Sequence, residues 1–269
     1  MKLNKELAKL YYIAAEARKE LGLDEEAFQY WVRKGRIRKV VLPGRAQGVY
    51  SRKEVNEMRD QINATIVAEQ IGIDFRKATL DDIGQEARLA HLVFGAKAEA
   101  IEERKAFLAR NPNIDYHLYD QGILVAYIII VPMKKQAIED FLHGKRGAWL
   151  LNPDNIEQFV PEEPKECLIT DMVTTPNVAP LTRTTYGAKL LTGLIRTLAN
   201  AGRKGIEIAN IYAASDTPQG IRILRNAGFE EMYESRKGRF VYKLDVTTSK
   251  EKILKEYQDA LKEWKETKQ

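Results

Sequence analysis

The chain of 269 residues holds a single cysteine, Cys167, so no intramolecular disulfide framework supports it and a reducing compartment is implied. Three histidines, His91, His117 and His143, stand far apart with no ligand spacing, and from the sequence no metal site is expected. Long apolar runs are missing too. The most apolar stretch, Ile123 to Met133 (ILVAYIIIVPM), is far shorter than the ~20 residues a membrane span requires and reads as a buried strand. MKLNKELAKL alternates charge with single leucines and does not read as a signal peptide. No repeat or low-complexity tract is present. These absences lead to the expectation of a soluble, cytoplasmic protein with no membrane partner.

What is present is an ordinary globular balance, 44% hydrophobic and 30% charged, with a net charge of +5 that is unevenly placed. Residues 1–62 carry 14 Lys and Arg against 9 Asp and Glu, while the remainder has 29 of each (43 − 14 and 38 − 9). Trp31 to Lys53 contains eight basic residues and no acidic one. Such one-sidedness is the footprint of a polyanion-binding surface, or of a solvated face biased by chance.

The basic segment reads as helix, turn, helix, ribbon, helix. Tyr12 to Leu21 forms a first helix ended by Gly22, and Asp24 caps a second that Gly35 stops. Ile37–Leu42 and Val49–Ser51 read as strands about a Gly-containing turn. Ser51 caps a last helix to about Ile62, with Glu54 in the capping-box position. The pieces YIAAEARKELGL, YWVRKGRIRKV and VYSRKEV make this stretch similar to the excisionase/MerR-type winged helix-turn-helix. The resemblance implies double-stranded DNA as a partner, with Gln29 and Arg33 toward the bases and Arg36, Arg38, Arg45 and Arg52 on phosphates. Glu25 and Glu26 in the turn oppose that use, and domains of this type also dock proteins.

The domain boundaries expected are 1–62, a linker 63–73, a second domain 74–247 and a charged amphipathic helix 248–269. The second domain reads as strand Phe75–Ala78, helices to Phe94 and over Glu99–Arg110, and strands Tyr116–Tyr119 and Gly122–Val131. A helical insert Lys134–Leu142, strand Cys167–Val173, a long helix and strand Ile206–Tyr212 follow. FRKATLDDI near its start and GIRILRNAGFEEM near its end make it resemble the GNAT N-acetyltransferase superfamily. The resemblance implies an α+β fold with a mixed sheet, acetyl-CoA or another acyl-CoA as cofactor, and an amine acceptor. It also implies that Cys167–Val173 and Ile206–Tyr212 splay apart around the pantetheine, with the thioester carbonyl near Met172 and Val173.

Helix N-termini bind phosphate through unpaired N–H groups. On the resemblance, Arg183, Thr184, Thr185, Tyr186, Gly187 and Ala188 form the pyrophosphate loop, with Tyr186 where a glycine is usual. Leu224 occupies the place of the family's usual tyrosine acid. Candidate catalytic residues are Asp171 and Glu166 as bases and Tyr212 as proton donor. Cys167 reads as a packing residue in preference to an acyl carrier. In the tail, Ile253, Tyr257, Leu261 and Trp264 form a stripe that docks on the chain's own core or pairs a homodimer. An acyltransferase and an inert sensor or dimerisation scaffold both remain open.

Overall fold

A computed structural model describes residues 5–43, 47–68, 73–95, 98, 100–144 and 152–268. The chain divides into two compact units, Met1–Val67 and Ala68–Gln269. Among the described residues no helix is long and apolar enough to cross a membrane.

In the first unit, α1 (Lys5–Leu10) leads into β1 (Tyr11–Ile13), α2 (Ala14–Leu21), α3 (Glu25–Arg33), β2 (Lys39–Val40), β3 (Val49–Ser51) and α4 (Arg52–Ala68). The helix expected from Tyr12 begins two residues later, because Tyr11–Ile13 pairs antiparallel with Val49–Ser51 in a sheet of order β1-β3-β2. Gly22, at φ 64°, ends α2 in the left-handed conformation that glycine takes without strain. The Asp24 carboxylate accepts the Ala27 N–H at 2.8 Å and starts α3. Phe28 meets Tyr50 edge-on at 5.0 Å over a core that includes Ala17, Leu21, Ile37 and Val55. Ile37 therefore belongs to the core, and the strand expected over Ile37–Leu42 shrinks to Lys39–Val40. Helix α4 runs to Ala68 through much of the expected linker, since no glycine or proline stops it before Gly72.

The second unit contains β4 (Asp74–Lys77), α5 (Ile83–Phe94), α6 (Ile101–Arg110), β5 (Asp115–Asp120), β6 (Ile123–Pro132) and α7 (Lys135–Leu142). It continues through β7 (Lys165–Thr174), α8 (Pro180–Arg203), β8 (Ile208–Ser215), α9 (Pro218–Asn226), β9 (Glu230–Arg236), β10 (Arg239–Asp245) and α10 (Lys255–Glu266). The seven strands form one mixed sheet in the order β4-β5-β6-β7-β8-β10-β9. Only β7 and β8 are parallel; every other neighbouring pair is antiparallel. The α+β class with a mixed sheet is thus the observed one.

Each face of the sheet carries its own core. Cys167, Ile169, Leu190, Leu194, Leu198, Ile208 and Tyr257 pack on the side of α8 and α10. On the other side Ile83, Leu108, Ile114, Ile138 and Leu168 pack with α5, α6 and α7. Cys167 is fully buried, and burial pushes its thiol well above the ordinary range, which suits packing and not nucleophilic chemistry.

The tail stripe docks on the chain's own core. The Tyr257 hydroxyl accepts from the Ile208 N–H at 2.6 Å and donates to the Ile206 carbonyl at 3.2 Å. Gly205, at φ 71°, lies under Trp264, where a Cβ would come within 2.4 Å of the indole. That close approach is what the glycine permits.

Candidate functional site

Strand β7 behaves differently on its two edges. Along β6 it is paired from Cys167 to Thr174. Along β8 it is paired only from Lys165↔Ile208 to Leu168↔Tyr212, although both strands continue, to Thr174 and to Ser215. Past Leu168 and Tyr212 the two parallel strands therefore part. Two residues beyond the last pair the β6 register slips: Ile130 faces Ile169 and Ile129 faces Asp171, so Thr170 has no partner on β6. This is a β-bulge, which bends the strand and re-aims the side chains after it. The splayed pair expected from the GNAT resemblance has its counterpart here, with β7 extended at both ends beyond Cys167–Val173 and β8 shifted from Ile206–Tyr212 to Ile208–Ser215.

Two carboxylates flank the bulge on the face of α5, α6 and α7. Before it, Glu166 Oε1 accepts from Asn210 Nδ2 on β8 at 3.0 Å. Glu166 Oε2 and Asn210 Oδ1 are buried and meet no hydrogen-bond partner among the described residues. Tyr212 adjoins the same carboxylate, and burial together with that negative charge pushes the phenol up to about 12.

After the bulge, Asp171 Oδ2 accepts from Arg104 at 3.4 Å and from the Tyr127 hydroxyl at 3.3 Å. Arg104 is buried and its other nitrogen grips Glu86, which is fully buried on α5. His117 Nε2 lies 2.8 Å from the second Glu86 oxygen and 3.4 Å from Asp115 Oδ1. From His117 Nδ1 the chain of contacts passes to the Tyr119 hydroxyl at 3.2 Å, and Tyr119 donates to Asp82 at 2.8 Å. Arg76 closes the network by donating to both Asp82 oxygens.

Burial alone lowers the basicity of His117, but the Asp115 and Glu86 carboxylates outweigh it and raise the imidazole to about 9. Burial works against ionisation of Glu86 too. Bonds to His117 and Asp115 and the Arg104 charge hold it at about 2. Asp115, fully buried and next to the Glu86 charge, is pushed well up. The sequence suggested scattered histidines with no ligand grouping. In the fold His117 instead meets Glu86 and Asp115, with donor atoms within 4.8 Å of one another. Arg104 supplies a positive charge at Glu86, so these donors form an ion network with Arg104 at its centre. A small cavity of about 20 Å³ beside Glu86, Arg104, Asp115 and Thr170 has room for one water.

The stretch expected as a pyrophosphate loop is helical. Helix α8 begins at Pro180, so Arg183 to Ala188 lie within its first three turns, and the Arg183 N–H is already bonded to Ala179 O at 3.0 Å. Thr184 and Thr185 donate their hydroxyls back to Pro180 O and Leu181 O at 3.0 and 3.1 Å. Tyr186 is buried and donates to Asp120 at 2.6 Å. A Cβ on Gly187 would meet nothing within 4 Å, so no close approach requires that glycine. The reason for the shift is Pro180, which is well suited to a first helical position and starts the helix one turn early. Unpaired helix-start amides are those of Leu181 and Thr182, beside the Arg183 side chain, whose Nε donates to Thr174 Oγ1 at 3.2 Å. Met172 and Val173 lie on the free edge of β7, and Leu224 is buried in the core on α9.

In the first unit Gln29, Arg33 and Arg38 are exposed. Arg36 stacks over Trp31 at 5.0 Å and Arg52 over Tyr12 at 4.0 Å, so these two guanidiniums rest on aromatic rings. Arg45 lies outside the described residues. Glu25 is paired with Arg18 at 2.9 Å, which neutralises one of the two turn carboxylates.

Sequence reasoning missed Glu86, Arg104, Asp115, Asn210 and the Thr170 bulge. Glu86 left a faint trace: it falls three residues after Ile83 and three before Leu89, on the apolar stripe of α5.

No protein-family model matches the chain, and no curated protein does. Among solved structures it is similar to the ribosomal-protein-S18-alanine N-acetyltransferase from Escherichia coli, 13% identical, over 67% of this chain and 97% of that one, with TM-score 0.41. It is also similar to the loading GNATL domain of CurA from Lyngbya majuscula, at 12%, 64%, 97% and 0.49. A third is the GphF GNAT-like decarboxylase in complex with isobutyryl-CoA, at 15%, 64%, 98% and 0.47.

Proposed function

We propose that the second unit is an acyl-CoA-dependent N-acyltransferase domain. The observation that carries this reading is the parting of β7 from β8 after Leu168↔Tyr212, beside the Thr170 bulge. Six residues of β7, Ile169 to Thr174, then offer backbone on that edge over roughly 20 Å of extended chain, enough for a pantetheine arm to pair as an added strand. Met172 and Val173 flank the arm. The Leu181 and Thr182 amides with Arg183 form the phosphate end, and residues 184–188 support it from within α8.

Bound there, acetyl-CoA or another acyl-CoA supplies an activated acyl group, and the chain's own residues manage the protons. Glu166, whose Oε2 meets no hydrogen-bond partner among the described residues, takes a proton from the acceptor ammonium; Tyr212 at the closed end of the cleft gives one to the departing thiolate. The transfer balances with one C–N bond formed and one C–S bond broken while the nitrogen gives up two protons, one to Glu166 before attack and a second that replaces the proton Tyr212 passes to the thiolate. Asp171, engaged by Arg104 and Tyr127, serves to hold the strand.

Calorimetric titration of acetyl-CoA, with CoA as control, tests the reading. Micromolar binding of both is expected; no binding of either leaves the inert scaffold in its place.

For the first unit the exposed run of Arg33, Lys34, Arg38 and Lys39 favours double-stranded DNA as partner. Gln29 and Arg33 would face bases, while Arg36, Arg38, Arg45 and Arg52 would face phosphates. A mobility shift that survives Arg33→Glu with Arg38→Glu would remove that surface, and protein docking would replace it.

A further inference from the structure

The charged side chains of the first unit are engaged in two different ways. Around α2 and α4 they pair with one another: Arg59 holds Glu20 and Asp60, and Arg18 reaches Glu25 at the first position of α3. The row Glu26, Gln29 and Arg33 on α3 is different. All three are exposed, and none meets a hydrogen-bond or ion-pair partner among the described residues. Their spacing of three and four residues puts them on one side of the helix. The opposite side is fixed, since Phe28 is buried and Trp31 and Val32 pack against the same core. With the Asp24 cap at its start and Phe28 against Tyr50 at 5.0 Å, α3 presents the row from a rigid element.

Acidic residues in a first turn complement the positive end of a helix. Glu25, which comes first and is paired with Arg18, already does so. The Glu26 carboxylate is left with its acceptor oxygens open, beside an amide that both donates and accepts and a guanidinium that only donates. Phosphates are met by donors alone, so a surface made only for the DNA backbone would carry Arg and Lys throughout. A carboxylate in such a row finds a partner on a base edge. In the major groove the cytosine N4 amino group is a donor that Glu can accept, adenine presents the pair that Gln matches, and guanine the pair that Arg matches. From Glu26 to Arg33 the helix rises roughly 10 Å, about the height of three base pairs.

We infer that α3 reads sequence, with Glu26 accepting from the N4 amino group of a cytosine. The partner is then a duplex carrying a fixed C·G pair within a few base pairs of the contacts made by Gln29 and Arg33. This inference rests on the DNA reading of the first unit and deepens it, because the feature that opposes indiscriminate binding becomes the element of choice. The carboxylate repels backbone phosphate and the acceptors of guanine alike, so it lowers affinity for the wrong pair as well as raising it for the right one. Arg38 and Lys39, exposed where β2 begins, supply positive charge toward the backbone.

The test is selection of binding sites from a randomised duplex library by the full chain, followed by mobility shifts on the selected duplex and on unselected DNA. The wild-type chain should enrich a motif with one invariant C·G pair. Glu26→Gln should lose the preference at that pair alone, bind the selected duplex about tenfold more weakly, and bind unselected DNA at least as well. Inverting the pair to G·C should weaken the wild-type chain about tenfold and leave Glu26→Gln unaffected. Because Glu26 is exposed, its variant should keep the wild-type thermal midpoint. Glu25→Gln should leave the motif unchanged; an equal change there would make the effect one of charge in general and overturn the assignment. Tighter binding of every duplex by Glu26→Gln with the motif intact would also overturn it, as would a wild-type chain that binds duplexes without preference. Failure to bind any duplex removes the DNA reading itself, and this inference with it.

Discussion

Glu166 and Asp171 sit five residues apart on one strand and lead different electrostatic lives. Asp171, beyond the Thr170 bulge, is tied into Arg104, Glu86 and His117, with Tyr127 as a further donor. Glu166, before the bulge, has a neutral amide and a phenol for neighbours, and its Oε2 meets no hydrogen-bond partner among the described residues. The difference teaches that burial and strand position do not decide how a carboxylate is engaged; the groups around it do.

The sharpest way to break that comparison is to neutralise each carboxylate in turn. Glu166→Gln should lower kcat by about 10²–10⁴ while acetyl-CoA affinity stays within twofold, the usual worth of a positioned base. Asp171→Asn should leave most of the turnover. If the two effects come out reversed in single-turnover assays, the roles given to these residues are exchanged.

Next in size is the loss of the network's centre. Arg104→Leu leaves Glu86 and Asp171 as buried charges without their guanidinium, so a loss of about 3–5 kcal/mol is expected in urea unfolding. Glu166→Gln should cost far less by the same measurement. A small loss in Arg104→Leu would mean that the two regions do not differ as the geometry implies.

The network also predicts a pH window. His117, raised from 6.5 to about 9 in the folded protein, contributes stability that is complete below about pH 6.5 and lost as pH rises through about 9. Glu86, held at about 2, contributes stability present above its unfolded value near 4.5 and lost as pH falls toward 2. Asp115 works in the opposite sense on the acid side, because its raised pKa favours the folded state when protonated. The alkaline limb is therefore the cleaner test. Thermal midpoints should fall between pH 6.5 and 9, and His117→Gln should flatten that limb; an unchanged limb would detach His117 from it.

Much of this architecture was legible because local signals agree. The apolar run at Ile123, the Asp24 cap and the closing Gly228-Phe229 each fix an element by chain-local chemistry. The class of the sheet and the candidate strands β7 and β8 followed from their order. What was not legible is long-range. Glu86, Arg104, His117 and Asp171 come from four elements, and nothing in their spacing brings them together. The helix start at Pro180 was missed because a family pattern was preferred to the proline's own signal, and Thr170 is a bulge only in relation to β6.

The smallest expected effect bears on Tyr212, the residue that links Glu166 to the point where the strands part. Its phenol, at about 12, keeps its proton through the neutral range and can donate it to a thiolate at the end of the cleft. Water admitted to an open cleft can do the same less well, so Tyr212→Phe should lower kcat by only about tenfold, close to 1.4 kcal/mol. KM for acetyl-CoA should not move, because the backbone edge of β7 and the start of α8 are untouched. A shift in KM with kcat intact would instead make Tyr212 a wall of the cleft. The proposed proton chemistry at the closed end would then rest on Glu166.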